Sequence, residues 1–290
     1  MFQNLKRKVD EKFKIPKLPK GPIGLDNLPI SIGQNISVKN YHHFLDNNES
    51  SGYKFEYNDG EVSIVDMSLR EHAATVSLLQ RYFNLPNGNT IWNPTIDVSG
   101  DDFHFSPAGN GVRIAADIAV YPSMSYVPKP PTPGLGPPPS DIRGNPHARI
   151  MCEVASGQSA ANWKNKCSLW MTQPYVRCVL GIKLYELRTT RDPQGRFNRR
   201  MKAKLWRQGM ASQKWEFGTV QKRNNNPTGC VALGNPAYQV TIPISDLFYD
   251  PQIPGIYTPP ITFPRPAFMY GNFTIDLYHI QQKVLEVQEE

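Results

Sequence analysis

ARIMCEVASGQSAANWKNKCSLWMTQPYVRCVLGIKLYEL, residues 148–187, holds the reading that decides the fold. Residues 148–155 read as a strand in which a carboxylate, Glu153, follows the apolar Ile150-Met151-Cys152. From about Ser159 to Met171 the pattern turns helical, with Trp163, Cys167 and Trp170 on the inward face. VRCVLGIKLYEL (176–187) begins as nearly continuous apolar sequence, as a buried sheet strand does. Strand, helix and strand in succession predict an α/β domain. The 21 glycines and 27 prolines among 290 residues also argue against a helical bundle.

Towards the N-terminus, DFHFS (102–106) and VRIAADIAVY (112–121) read as two further strands joined by a Pro/Gly turn. Residues 122–139 contain eight prolines and predict a loop, because proline cannot pair in a sheet interior. GYKFEY and EVSIVDM alternate around Asn58-Asp59-Gly60, which predicts a hairpin over 52–67. Ser68 and Glu71 have capping-box spacing, and Leu69, Ala73, Val76, Leu79 and Phe83 recur as on a helix. Residues 1–30 lack apolar periodicity and read as a flexible arm.

On the C-terminal side, FNRRMKAKLW (197–206) alternates strictly. Phe197, Arg199, Met201, Ala203 and Leu205 take one side; Asn198, Arg200, Lys202, Lys204 and Trp206 take the other. This is a half-buried strand with a basic outer face, paired with KWEFGTV (214–220) across Gly209. YQVTIPI (238–244) is a short strand, and FTIDLYHIQQKVLEVQEE reads as a final amphipathic helix. The expected organisation is a basic arm over 1–45 and a domain over 46–250, followed by a Pro-rich segment with a helix over 251–290. That domain includes the Pro-rich loop 122–147 and a basic hairpin insertion 188–223.

The net charge of +7 is segregated. Residues 1–20 carry seven Lys/Arg and two acids, and residues 188–223 carry eleven and two. The rest of the chain is therefore acidic, at −7. Two basic segments on an acidic body suit a polyanionic partner. No apolar run near 18 residues exists, so no membrane is expected as partner. MFQNLKRKVDEKFK has no apolar signal-peptide core, and the four cysteines form no CxxC pair, which predicts an intracellular, reducing location.

Asp117 and Glu153 each interrupt an apolar strand, where an unpaired carboxylate costs several kcal/mol. Adjacent strands would bring them side by side, and two convergent carboxylates suit Mg²⁺ (or Mn²⁺) with waters and phosphate oxygens. Gln158, Asn162 and Lys166 share one helix face, from which Lys166 can point at the carboxylates; a solvated face gives the same spacing. Glu71 reads as the capping-box partner of Ser68 or as a third carboxylate, and His72 as a helix-start or site residue. His42, His43 and His104 lack partners at zinc-ligand spacing. No Gly-rich phosphate loop and no nucleophile elbow occur.

At these residues the chain resembles the Uma2 family of restriction-endonuclease-like proteins, within the PD-(D/E)XK nuclease superfamily. YKFEYNDGEVSIVDM is similar to the family's opening hairpin, and SLREHAA to its first helix with a His. ADIAVYP is similar to its Pro-Asp strand, RIMCEVASGQS to its Glu-Val-x-Ser strand end, and NWKNKCSLW and VRCVLGIKL to the helix and strand that follow. The resemblance covers about residues 52–187. It implies a central mixed sheet flanked by helices and a Mg²⁺-dependent nuclease acting on DNA before RNA, with a homodimer left open. Asp117 and Glu153 would hold the metal and Lys166 the scissile phosphate, with Glu71, His72, Gln158 and Asn162 in support. The superfamily's lysine two residues after the Glu is Ala155 here, so that role moves to Lys166 or Lys164 or is lost. Arg199, Arg200, Lys202 and Lys204 would track a nucleic-acid backbone while Trp206 stacks on a base. Two other classes fit the same residues: a non-cleaving nucleic-acid binder of this fold, and an interaction protein using its Pro-rich loops and last helix.

Overall fold

The computed structural model describes residues 15–48, 51–67, 69–100, 102–131, 134–223, 225–259 and 266–288. Strand β1 (Ile30–Gly33) and helix α1 (Val38–Asp46) come first, then the hairpin β2 (Tyr53–Asn58) and β3 (Glu61–Met67) and helix α2 (Arg70–Asn84). Four strands follow: β4 (Ile96–Ser99), β5 (Phe103–Phe105), β6 (Arg113–Ala115) and β7 (Ile118–Pro122). Then come β8 (Ile150–Ala155), α3 (Ala160–Met171), β9 (Cys178–Arg191), β10 (Phe197–Arg207) and β11 (Gln213–Gly218). The chain closes with β12 (Gln239–Pro243), β13 (Asn272–Asp276) and α4 (Leu277–Val287).

The central sheet has six strands in the order β11-β10-β9-β8-β7-β4. Only β8 and β9 run parallel, joined by α3; every other neighbouring pair is antiparallel. Period-two alternation divides each strand between two faces. Ile118, Val120, Cys152 and Val154 pack with Leu79 and Phe83 of α2 and Ile280 and Val284 of α4. Ala119, Tyr121, Met151 and Ala155 pack under Trp163, Cys167 and Trp170 of α3. The sheet is thus sandwiched, with α2 and α4 on one face and α3 on the other. Gly181 of β9 makes the close approach of α3 feasible: a Cβ there would lie 2.6 Å from Trp163 Cζ2.

A second sheet, β1-β3-β2, carries its own core of Ile36, Tyr41, Phe44, Leu45 and Val62. The Asp-Gly turn of its hairpin is as the sequence predicts, with Asp59 at φ 45° and Gly60 at φ 88°.

Several expectations need correction. Residues 15–45 are not a free arm: β1 pairs with β3, and α1 buries Tyr41, Phe44 and Leu45. The basic run before residue 15 and Ser68 lie outside the described residues. Leu69 precedes α2 with no side-chain cap. Residues 188–223 are no appended insertion, because β10 and β11 complete the central sheet. FTID is a strand rather than helix; it pairs with β12, and Asp276 then caps α4 through Tyr278 N–H. The run 112–121 breaks into β6 and β7 at Ala116-Asp117, where the Asp117 side chain takes over a backbone partner.

Candidate functional site: two carboxylates and two ammoniums

Asp117 and Glu153 meet where β7 and β8 begin to diverge. The antiparallel register pairs Ile118 with Cys152, and Asp117 N–H still donates to Cys152 C=O at 3.1 Å. One step further along the same register Asp117 faces Glu153, so both side chains emerge on the α3 face. Asp117 Oδ2 accepts the Val154 N–H at 2.6 Å, just before β7 begins, while Val154 stays paired with Ile182 of β9.

The other Asp117 oxygen is engaged by a lysine and faced by a histidine. Lys54 Nζ from β2 lies 2.5 Å from Oδ1, and His72 Nε2 from α2 lies 3.4 Å away. Lys54 Nζ also donates to Val154 C=O at 3.0 Å and to His72 Nε2 at 2.7 Å. Glu153 is held separately. Lys166 Nζ approaches Oε2 at 3.0 Å, and Trp170 Nε1–H donates to Oε1 at 2.6 Å. Both carboxylates are 2–3% exposed, beneath lysines that reach solvent.

Electrostatics separate the two acids. Burial alone would raise the Asp117 carboxyl, but Lys54 and His72 outweigh it and hold the group well below the usual carboxylate range. Burial raises Glu153; Lys166 opposes this, and the neighbouring Asp117 adds to it. Burial would lower Lys166, yet Glu153 and Asp117 hold it above its ordinary value. One carboxylate is therefore firmly ionised and its neighbour is more readily protonated.

Among the described residues no group of three or more His, Cys, Asp or Glu side chains is placed to hold a metal. Mg²⁺ is commonly held by only one or two carboxylates, with waters and phosphate oxygens completing its shell. Lys54 Nζ is the observation that tests the fit. It is a cation already seated between two hard oxygens, Asp117 Oδ1 and Val154 C=O. That donor set suits Mg²⁺ or Mn²⁺ and offers nothing to a thiophilic metal.

The remaining expected residues divide. His72 joins the site. Glu71, one residue earlier on α2, points elsewhere: its Oε1 meets Arg199 NH1 at 2.8 Å, and both are buried. Gln158 is buried in the β8–α3 loop, whereas Lys164 is exposed on the outer side of α3. Asn162 lies in the first turn of α3, where its N–H meets the capping Ser159 Oγ at 3.1 Å.

The basic strand also differs from its expected use. Arg199 is committed to Glu71 and to Tyr185 C=O, and buried Arg200 makes a two-bond fork with Glu216 while stacking on Tyr185. Neither guanidinium is free for a phosphate. Lys202, Lys204 and Trp206 do share the α3 face, since Trp206 meets the Trp163 ring at 5.9 Å. Lys202 stands beside Lys183, and Lys204 between Gly181 and Lys214, in neighbouring strands. Lys204 Nζ lies 4.1 Å over the Trp206 ring. Burial pushes Lys183 down to about 8, and its ammonium donates to Ser156 C=O.

Lys54 and Asp66 are site residues that the sequence reading did not single out. Asp66 is fully buried; it accepts Ser156 N–H at 3.0 Å and Gly157 N–H at 2.8 Å, clamping the loop after Glu153. A carboxylate in the apolar strand EVSIVDM carries the same signal that marks Asp117. Lys54 carries none, because it occupies the polar side of an alternating hairpin strand.

No protein-family model, curated protein or solved structure matches this chain. The fold and site therefore rest on the geometry alone: a mixed α/β domain whose six-stranded central sheet presents two buried carboxylates beneath two lysines. No helix among the described residues is long and apolar enough to cross a membrane. All four cysteines are free and buried.

Proposed function

We propose that this chain is a Mg²⁺- or Mn²⁺-dependent phosphodiesterase acting on nucleic acid, DNA before RNA, on a restriction-endonuclease-like sheet of the Uma2 kind. The pairing of Asp117 and Glu153 on adjacent strands, with ammonium groups against both, is the observation that carries this reading. The order of elements supports it as well: two antiparallel strands bring the acids together, and a helical crossover to parallel β9 lays α3 with Lys166 over them.

Asp117, Glu153 and Val154 C=O would hold the ion. When bound, such an ion withdraws charge from a phosphoryl oxygen and acidifies a bound water. The chain's own side chains do the rest. Trp170 fixes Glu153 Oε1, so the carboxylate presents Oε2 towards the open side where Lys166 stands. The partly exposed Lys166 ammonium neutralises charge that builds on the phosphate oxygens during attack. Asp66 holds the Ser156-Gly157 backbone that follows Glu153 in a fixed position. Lys202, Lys204 and Lys214 extend positive charge along the same sheet face, in the place where a nucleic-acid backbone would run.

Plasmid incubated with purified protein and Mg²⁺ or Mn²⁺ is expected to be nicked by the wild type and left intact by Asp117→Ala and Glu153→Ala. Inactivity of the wild type alongside salt-dependent binding would overturn cleavage and leave a non-cleaving binder of the same fold. One observation favours that second reading: both carboxylates are already neutralised from within. Absence of any salt-dependent gel shift would remove both and leave an interaction protein.

A further inference from the structure

Lys54 reaches Asp117 from outside the central sheet and its covering helices. Its stem rises from β2 of the small N-terminal sheet, whose register places Lys54 opposite Asp66. Its ammonium has three acceptors: Asp117 Oδ1 at 2.5 Å, His72 Nε2 at 2.7 Å and Val154 C=O at 3.0 Å. Two of these are the hard oxygens that a divalent ion needs. With Lys54 and Lys166 in place the centre is neutral, two carboxylates against two ammoniums. An ion added to the same Asp117 oxygen would stand against the ammonium, a repulsion far above thermal energy in a buried setting. The two cations therefore exclude one another.

We propose that Lys54 is a built-in plug for the ion site: its ammonium occupies the seat in the resting protein and must swing out before a divalent cation can bind. The inference rests on the phosphodiesterase reading, because it takes that reading's ion site as its object. Lysine suits the task. Four methylenes give it reach, and 17% of its side chain is already in contact with solvent. His72 turns the plug into a two-position device. Its Nε2 is an acceptor for the seated ammonium, and it is left facing Asp117 when the ammonium departs. An unplugged centre holding a dication carries net positive charge, and an incoming phosphodiester neutralises it. The plug thus ties ion loading to the arrival of an anionic substrate, and the substrate-free protein keeps its ion affinity low.

The test reads ion affinity rather than cleavage. Mn²⁺ is titrated into the full chain without nucleic acid and free Mn²⁺ is followed by its paramagnetic resonance signal. Lys54→Met is expected to bind Mn²⁺ at least about tenfold more tightly than wild type. Lys54→Arg, which keeps a cation in the seat, is expected to stay near wild type. Lys54→Gln covers the case in which Lys54→Met does not fold without metal, and it should show the same gain. Adding Asp117→Asn to Lys54→Met should abolish the gained affinity. Equal affinities for wild type and Lys54→Met, weaker binding by the variant, or a gain that survives Asp117→Asn would overturn the plug while leaving the ion site standing. Failure of every protein to bind Mn²⁺ at millimolar concentration would overturn the plug together with the ion site, and with it the phosphodiesterase reading.

Discussion

Replacing Lys166 with methionine keeps much of the apolar stem and removes one charge from a buried pair. Glu153 Oε2 then loses its ammonium at 3.0 Å, while Trp170 still donates to Oε1. Burial already raises the Glu153 carboxyl above its ordinary 4.5, with Lys166 the chief opposing influence, so the substitution raises it further. A carboxyl whose folded value lies above its unfolded value contributes stability fully below the unfolded value and loses it as pH rises towards the folded one. The loss has a ceiling, because the side chain takes up a proton rather than remain a bare buried anion. From the ordinary 4.5 to pH 7 that ceiling is about 2.5 units at about 1.36 kcal/mol each, or about 3.4 kcal/mol. At pH 5 the same ceiling is about 0.7 kcal/mol. Part of that loss is already present in the wild type, so urea unfolding followed by tryptophan fluorescence should show the variant destabilised by less than about 3.4 kcal/mol at pH 7 and by less than about 0.7 kcal/mol at pH 5, with the larger loss at pH 7. Adding Glu153→Gln to Lys166→Met should recover most of the pH 7 loss. An equal destabilisation at both pH values would mean that Lys166 acts through packing, and the charge argument would be refuted.

Buried His104 and His147 have ring centroids 4.6 Å apart, and burial is the chief influence lowering both below the ordinary histidine value. The unfolded chain then takes up these protons first, so stability should fall as pH drops below about 6.5, and His147→Asn should flatten that slope by up to about 1.4 kcal/mol per pH unit in a denaturation series. Gly181→Ala forces a methyl to within 2.6 Å of fully buried Trp163; thermal unfolding should show a loss of about 1–3 kcal/mol, and an unchanged melting temperature would mean that α3 can retreat. Arg199→Met leaves Glu71 buried without its partner at 2.8 Å and should cost about 3–5 kcal/mol in urea unfolding, a loss that Glu71→Gln in the same chain should largely relieve. On the nucleic-acid reading, Lys202→Gln with Lys204→Gln should lower the slope of log affinity against log salt by about 2, whereas Lys39→Gln on α1 should leave it unchanged.

The β8–α3–β9 unit was legible because its signals are local. Apolar runs of strand length flank a helix whose Ser159 cap and inward Trp163, Cys167 and Trp170 all lie within a few residues of one another. The alternation over 197–206 was equally legible, and Met201, Ala203 and Leu205 are buried as it predicts. Period two tells which side chains share a face, but not which strand lies alongside. Nothing in FNRRMKAKLW therefore reveals that β10 closes the central sheet rather than forming a separate hairpin. The two guanidiniums show the same limit. Arg199 and Arg200 read as contacts to a nucleic-acid backbone, yet Glu71 lies 128 residues from Arg199 in the chain, and only the fold brings them into contact. His104 reads as isolated for the same reason; only the fold sets the His147 ring 4.6 Å from it.

Asp117 and Glu153 could be picked from the sequence because a carboxylate inside an apolar strand is costly unless something specific offsets it. That argument identifies the residues and demands a partner, but does not name the partner. Lys166 was within reach, since helical spacing carries it back over the preceding strand. Lys54 was not, because it comes from another sheet and meets Asp117 only once β2 has packed against the end of β8. Composition, period and the position of two acids are properties of neighbours along the chain and can be read from it directly. Which cation faces which acid, and whether a basic strand is spent inside the protein or offered to a partner, depends on contacts between residues far apart in the chain, and these exist only once the sheets have packed.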